Sequence, residues 1–160
     1  MRGQIQALFV GAVLAMAPLQ VAADGWRRYD NKRFAYTIEI PPGFSSVSEA
    51  DNDDGGVSDG DDGKAELRVW GTHLVDRDFA ADIADRVGSA AADGWAISYN
   101  RRTANNASWS GSRAGRVFYA RAMKGCGDAA IHFRLEYDRS ELKRYDAIVG
   151  RLARSLHDTC

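Results

Sequence analysis

The stretch RFAYTIEIPPGF, residues 33–44, sets the kind of fold that this sequence can form. Its large apolar side chains occupy every second position, at Phe34, Tyr36, Ile38 and Ile40. A period of two places these four side chains on one face of an extended chain, which predicts a half-buried β-strand. The Pro-Pro-Gly that follows ends the strand, because proline cannot donate to a β-ladder and glycine permits a turn.

An acidic, glycine-rich segment comes next, EADNDDGGVSDGDDGKAEL at residues 49–67. Its second half is dense in the dipeptide Asp-Gly and lies between alternating segments, which is a strong hairpin signal. We therefore predict a hairpin in which residues 56–58 enter, residues 59–64 turn and residues 65–70 leave. Asp and Gly suit the geometry and the hydration of such a turn.

The same acidic segment has a second interpretation as a calcium loop. Aligned to the EF-hand pattern, Asp51, Asp53, Asp59 and Asp62 fall at ligand positions. Gly55, however, offers no side-chain oxygen at its position, and strands rather than helices flank the segment. We favour the hairpin and keep the four aspartates as a weak Ca²⁺ candidate; we expect no other cofactor.

The period changes to that of a helix over residues 78–92, and either Asp76 or Asp78 can cap its start. One apolar stripe marks its buried face. The stripe consists of Phe79, Ile83, Val87 and Ala90.

Alternation returns after this helix and predicts further strands. They cover residues 95–99, 115–123 and 130–138, with a turn at 124–128. Residues 105–112 are interpreted as a loop or a short edge strand, which would place Trp109 at the surface.

A closing helix is predicted from an apolar stripe with helical spacing. The stripe consists of Leu142, Tyr145, Val149, Leu152 and Leu156. Ser140 with Glu141 could start this helix, or Asp146 could cap a shorter one; we favour a broken start near Tyr145. The element order predicts an α+β fold, with a mostly antiparallel sheet on which a central and a C-terminal helix pack.

This layout resembles a group of small exported bacterial proteins of unknown function with the PsbP-like α/β/α sandwich. The segments that carry the resemblance are RFAYTIEIPPGF, the hairpin GVSDGDDGKAELRVWG, the central helix and the helix after FRLEYDRS. Together they cover most of residues 26–157. The resemblance implies an accessory or binding role, because PsbP is a non-catalytic extrinsic subunit of photosystem II, and it supplies no catalytic residue.

The N-terminal segment predicts export. Arg2 precedes an uninterrupted apolar run, Ala7–Ala17, and small residues end at Ala23. This is the pattern of a signal peptide over residues 1–23, and the run is short for a membrane span. We expect one globular domain over residues 24–160, monomeric and periplasmic or secreted, with no membrane span once the signal is cleaved.

The cysteines and the charge narrow the classes of partner. In an exported chain the pair Cys126 and Cys160 predicts a disulfide that closes a ring of 35 residues. The formal net charge is −1, and it becomes −2 once Arg2 is removed. So small a charge gives no electrostatic basis for binding nucleic acid. An envelope protein or a small ligand is the expected partner.

Six side chains on the outward face of the predicted sheet form a candidate docking face. They are Glu66, Arg68, Trp70, His132, Arg134 and Glu136. If their two strands are neighbours, opposite charges can pair across the strands, and Arg and Trp can contact a partner. The serine-rich segment SWSGSRAG, residues 108–115, contains no G-x-S-x-G nucleophile motif, so we lean towards a non-catalytic binding protein. The alternative is a periplasmic hydrolase whose site is scattered through the fold.

Overall fold

The structure, a computed structural model, describes residues 25–160. The predicted signal peptide at residues 1–23 therefore lies outside the described residues. Two helices are present in the described part, α1 (Phe79–Ala92) and α2 (Leu142–Ser155). The strands are β1 (Arg27–Asn31), β2 (Tyr36–Ile40), β3 (Ser48–Glu49), β4 (Gly55–Asp59), β5 (Glu66–His73), β6 (Ala96–Arg102), β7 (Asn106–Arg113), β8 (Arg116–Lys124), β9 (Ala129–Asp138) and β10 (His157–Asp158).

The strands form two antiparallel sheets. The larger sheet has seven strands in the order β3-β4-β5-β9-β8-β7-β6, and the smaller has three in the order β1-β2-β10. Hairpins connect β4 to β5, and β6, β7, β8 and β9 in succession. The pairing of β5 with β9 is long-range and brings the first half of the chain against the second.

Each face of the large sheet is buried against a different layer. On one face the small sheet and α2 cover β5 and β9, and the core contains Tyr36, Leu67, Phe133 and Leu152. On the other face α1 packs on the sheet, with Ile83 at 0 % exposure. This is the predicted α+β sandwich, and the predicted fold class is confirmed.

The predicted hairpin and the predicted helix α1 are also confirmed. Residues 55–59 pair with residues 66–70, so the Asp-Gly-rich residues form the turn between β4 and β5. The helix begins after Asp78, whose side chain accepts a hydrogen bond of 2.7 Å from the backbone N–H of Ala81. That bond satisfies one of the N–H groups that a helix leaves unpaired at its start.

Two sequence interpretations were wrong. Residues 106–113 form a full inner strand, β7, and Trp109 is buried beneath α1 rather than exposed. The serines and glycine of this strand made it resemble a loop, although they alternate with Ala107 and Trp109. The closing helix does not break near Tyr145: Asp138 caps a 3₁₀ turn that leads directly into α2 at Leu142.

The predicted disulfide is present between Cys126 and Cys160, whose Cα atoms lie 6.0 Å apart. Cys126 belongs to the turn between β8 and β9 of the large sheet. Cys160 follows β10, which pairs with β2 in the small sheet, and the adjacent Thr159 N–H donates to the carbonyl of Ala35. The bond therefore joins the two sheets at one end of the molecule.

Candidate binding groove beside α1

The register between β5 and β9 brings the six predicted docking residues together. Arg68 lies directly opposite Arg134, and Trp70 lies directly opposite His132. The two glutamates are also opposite each other. Because directly opposed residues of antiparallel strands point to the same side, all six side chains emerge on the face that α1 partly covers.

The ion pairs within β5 and within β9 run along each strand, and among the described residues none joins β5 to β9. Like charges are opposed in the register, so the guanidinium of Arg68 pairs with Glu66, two residues earlier on the same strand. In the same way Arg134 lies 3.3 Å from Glu136, and Arg116 of β8 approaches Glu136 at 3.5 Å. The expectation of cross-strand pairs between β5 and β9 was wrong, because the sequence does not reveal the register. Each such exposed ion pair contributes at most about 1 kcal/mol to the free energy of unfolding.

Arginines stacked on aromatic rings form the floor of the groove. The guanidinium carbon of Arg134 lies 3.9 Å from the ring centroid of Phe118 and 4.9 Å from that of Trp95. The guanidinium of Arg113 lies 4.6 Å from the same Trp95 ring. Burial lowers the pKa of Arg134, and Glu136 partly offsets that effect. Arg134 is thus a charged group that has already lost part of its water shell, which is a favourable state for an interface residue.

The depression along α1 has two parts, which together we call the α1 groove. One part has a volume of about 440 Å³ and the other about 390 Å³. Trp70, Asp93 and Arg134 line both parts, so the parts are continuous. Both are partly open to solvent.

His132 lies under the groove and not in it. Its side chain is completely buried, and its ring stacks on Trp70 with the centroids 5.0 Å apart. Among the described residues, neither ring nitrogen has a hydrogen-bond partner; Nε2 lies 4.0 Å from the Asp82 carboxylate. Burial, followed by the positive charge of Arg86, holds the pKa of His132 well below its usual range. His132 is therefore neutral and sealed from any partner, which corrects its assignment to the docking face.

The helix α1 is the reason for that correction. Its Asp82 and Arg86 form an ion pair of 2.7 Å directly beside His132, and the guanidinium of Arg86 lies 5.7 Å from the Trp70 ring centroid. The sequence indicated that a helix covers the sheet but not which sheet residues it covers. It also did not indicate that Arg113 reaches the groove. The only local signal for Arg113 is its position at the end of the alternating strand β7.

The four aspartates of the calcium hypothesis are divided between two turns. Asp51 and Asp53 lie between β3 and β4, whereas Asp59 and Asp62 lie at the other end of β4. The strand between them spans roughly 13 Å at about 3.3 Å per residue, whereas EF-hand ligands surround one ion. Within residues 25–160 no group of three or more His, Cys, Asp or Glu side chains is placed to hold a metal ion.

The Asp62 carboxylate already contacts two other groups of the protein. It accepts a hydrogen bond of 2.9 Å from the backbone N–H of Lys64 and lies 3.4 Å from the Arg144 guanidinium. The bond from Lys64 is the main reason that the pKa of Asp62 lies below its usual value. Its contacts are those of a residue that closes the hairpin turn and attaches it to α2.

Comparison with solved structures supports the fold. The chain resembles the solution structure of cyanobacterial PsbP (CyanoP) from Synechocystis sp. PCC 6803, with a TM-score of 0.58 and 14 % identity over 90 % of this chain and 98 % of that one. It also resembles the Ran-binding protein Mog1p of Saccharomyces cerevisiae, with a TM-score of 0.60 and 13 % identity over 84 % of this chain and 95 % of that one. No family model and no curated protein matches the sequence. The fold is therefore PsbP-like, as the resemblance implied.

The helices of the described part are too short or too polar to cross a membrane.

Proposed function

We propose that this chain is an exported, non-catalytic accessory protein that binds a protein partner through the α1 groove. The observation that carries the proposal is the pair of arginines, Arg113 and Arg134, stacked on Trp95 in the floor of an open groove. Arg and Trp are the residues most enriched among those that dominate binding energy at protein interfaces. Their stacked rings and guanidinium planes lose little freedom when a partner docks.

The charges of the groove favour a protein partner. Arg68 and Arg134 alternate with Glu66 and Glu136 on the same small surface. A single-sign surface would attract a polyanion, whereas a mosaic of both signs matches the mixed side chains of another protein. The partly exposed Trp70 offers an apolar contact between the charged groups, as in the centre of many interfaces.

The fold is compatible with this role. Mog1p, which shares the fold, is described as a Ran-binding protein. Because fold alone does not define function, the proposal depends mainly on which residues line the α1 groove. Export is supported by the N-terminal pattern and by the disulfide, which forms and persists in oxidising compartments. N-terminal sequencing of the mature protein should begin at Asp24.

The ion pairs of the groove favour binding over the alternative, a hydrolase. A hydrolase needs a base that is free to accept a proton, whereas the groove carboxylates Asp82 and Glu136 are paired with arginines. The His–Asp pair beside the groove, His132 with Asp82, is closed off by Trp70 and α1. The hydrogen-bonded pair His73 with Asp128, 3.1 Å apart, is exposed and lies outside the lining of the groove.

The test is partner capture from an envelope extract with surface variants. The mature protein is used as bait, with Arg68→Glu and Trp70→Ala as groove variants. Lys143→Glu, on the exposed surface of α2 across the large sheet, makes the same change of charge away from the groove and is the control. We expect each groove variant to weaken capture about tenfold or more, which is ~1.4 kcal/mol, and the control to match the wild type. Equal capture by the groove variants and the wild type would reject the proposal.

A further inference from the structure

The face of the large sheet opposite the α1 groove is covered over only part of its width. Below α2 and the small sheet, this face is apolar, as at Phe133 and Leu135. Towards β7 it becomes polar, because Asn106, Ser108 and the two following alternate serines point to the same side. The last strand, β6, is exposed along nearly its whole length.

The strand register places two arginines on either side of the buried Ser108 on this face of the sheet. Ser108 of β7 lies opposite Arg101 of β6 on one side and opposite Arg121 of β8 on the other. In the neighbouring row, Ser110 lies opposite both Tyr99 and Tyr119. Arginine, serine and tyrosine side chains therefore project together from three adjacent strands.

Arg121 is partly buried without a counter-charge. Its Nη2 donates to the side-chain oxygen of Asn106 at 3.0 Å, and its Nη1 donates to the Ser108 hydroxyl at 3.3 Å. Its Nε is buried and has no acceptor among the described residues. No carboxylate within residues 25–160 forms an ion pair with Arg121 or Arg101. A guanidinium fixed by neutral acceptors keeps its full positive charge available to a ligand.

These side chains line a cleft of about 580 Å³, which we call the β6–β8 cleft. Every charged residue in its lining is an arginine: Arg101, Arg102 and Arg121. The remaining lining adds amide and hydroxyl groups and the ring of Tyr99, which is 41 % exposed. This single-sign lining contrasts with the mixed charges of the α1 groove.

We propose that the β6–β8 cleft binds a small molecule that carries an oxyanion, such as a carboxylate, sulfate or phosphate group. The oxyanion accepts hydrogen bonds from Arg121 and Arg101, whose planar guanidinium groups match oxyanion geometry. The uncharged part of the ligand packs against Tyr99, and the Ser108 hydroxyl supplies a further contact. The cleft is local and the net charge is small, so an extended polyanion is a poorer match.

The test is a titration of the isotope-labelled mature protein, followed by backbone and arginine Nε–H NMR signals. The probes are inorganic phosphate, sulfate and citrate, each compared with sodium chloride at equal ionic strength. We expect saturable shifts at Arg101, Ser108 and Arg121, and at least tenfold weaker binding in Arg121→Gln. Arg101→Gln should also weaken binding; its exposed side chain has no hydrogen bond to any residue of 25–160, so this variant should fold normally. Among the three probes, the one that saturates at the lowest concentration identifies the oxyanion class.

The control is Arg28→Gln, which removes an exposed arginine of β1 that is paired with Asp30. This variant should bind each anion as the wild type does. Shifts spread equally over Arg28 and the cleft, or unchanged binding in both cleft variants, would show an adventitious ion only and overturn the proposal. Co-sedimentation with phosphatidylglycerol vesicles, combined with no response to the free anions, would also overturn it in favour of a lipid surface.

Discussion

At the scale of single residues, His132 is the side chain whose surroundings differ most from those that the sequence pattern predicts. Alternation along β9 places it with Arg134 and Glu136 on the polar face, yet α1 covers it and Trp70 stacks on its ring. The adjacent Asp82 is already paired with Arg86, so its carboxylate does little to favour a protonated imidazole. The neutral, buried ring therefore contributes to the fold by stacking on Trp70.

The neutral state of His132 makes the stability of the protein depend on pH. The pKa of His132 lies well below its usual range in the folded state, whereas in the unfolded chain it is about 6.5. Below about pH 6.5 the unfolded chain binds a proton that the folded protein does not. We therefore expect the free energy of unfolding to fall between pH 6.5 and pH 5, by up to ~1.4 kcal/mol per pH unit.

Urea unfolding at pH 7 and pH 5, compared between the wild type and His132→Phe, measures this contribution. Phenylalanine keeps a ring under Trp70 and cannot be protonated, so the variant should lose less stability on acidification. An identical loss in both proteins would show that His132 is not the cause.

At the scale of the elements, two glycines test how tightly the helix and strand layers pack. Gly71 lies in β5 where the small sheet crosses it, and a Cβ at this position would overlap the buried ring of Phe34. Gly88 lies on the exposed side of α1, where a Cβ would have no atom within 4 Å. The same substitution therefore has opposite expected effects in the two elements.

We expect Gly71→Ala to destabilise the protein by about 1–3 kcal/mol, because a well-packed core cannot absorb an extra methyl group without strain. Gly88→Ala should stabilise it by up to ~1 kcal/mol, because alanine favours the helix. Chemical denaturation of the two variants beside the wild type measures both changes. Changes of the same sign would contradict the packing of the small sheet on β5.

At the scale of the whole molecule, the disulfide and the two faces of the large sheet define the organisation. The ring closed by Cys126 and Cys160 contains β9 and α2, and so it includes the strand that joins the two halves of the chain. The α1 groove and the β6–β8 cleft lie on opposite faces of that sheet. One molecule could therefore hold a protein partner and a small anion at the same time.

Removal of the disulfide should lower the free energy of unfolding by at most about 4 kcal/mol, from the loop entropy of the 35-residue ring. Strain and residual structure in the unfolded chain subtract from this value. The measurement is urea unfolding of the wild type with and without reductant, beside the double variant Cys126→Ser with Cys160→Ser. The variant should be insensitive to reductant. Equal stability of the oxidised wild type and the variant would show that the bond contributes nothing.

The sequence by itself determined the two helices and six of the ten strands in the described residues, but not β1, β3, β7 or β10. Period-two alternation identified β2, β5, β8 and β9, because apolar side chains recur at every second position in each. The prediction that β2 is half-buried was wrong, since side chains on both of its faces are buried. The helical stripe and Asp78 located α1 to within a residue. Two cysteines allow only one intramolecular disulfide, between Cys126 and Cys160. Each of these signals is local, or is fixed by elimination, and therefore can be read without knowing which segments are neighbours.

Only the tertiary structure decided what the surfaces can bind. Alternation shows that Arg68 and Arg134 face the same way as their strand neighbours, but the register that opposes them is set by long-range pairing. Likewise, no local pattern shows that α1 seals His132 or that Arg121 lines one cleft with residues of β6 and β7. Periodicity reports which side of an element is buried. The depth of burial and the identity of the neighbours depend on how all the layers pack together.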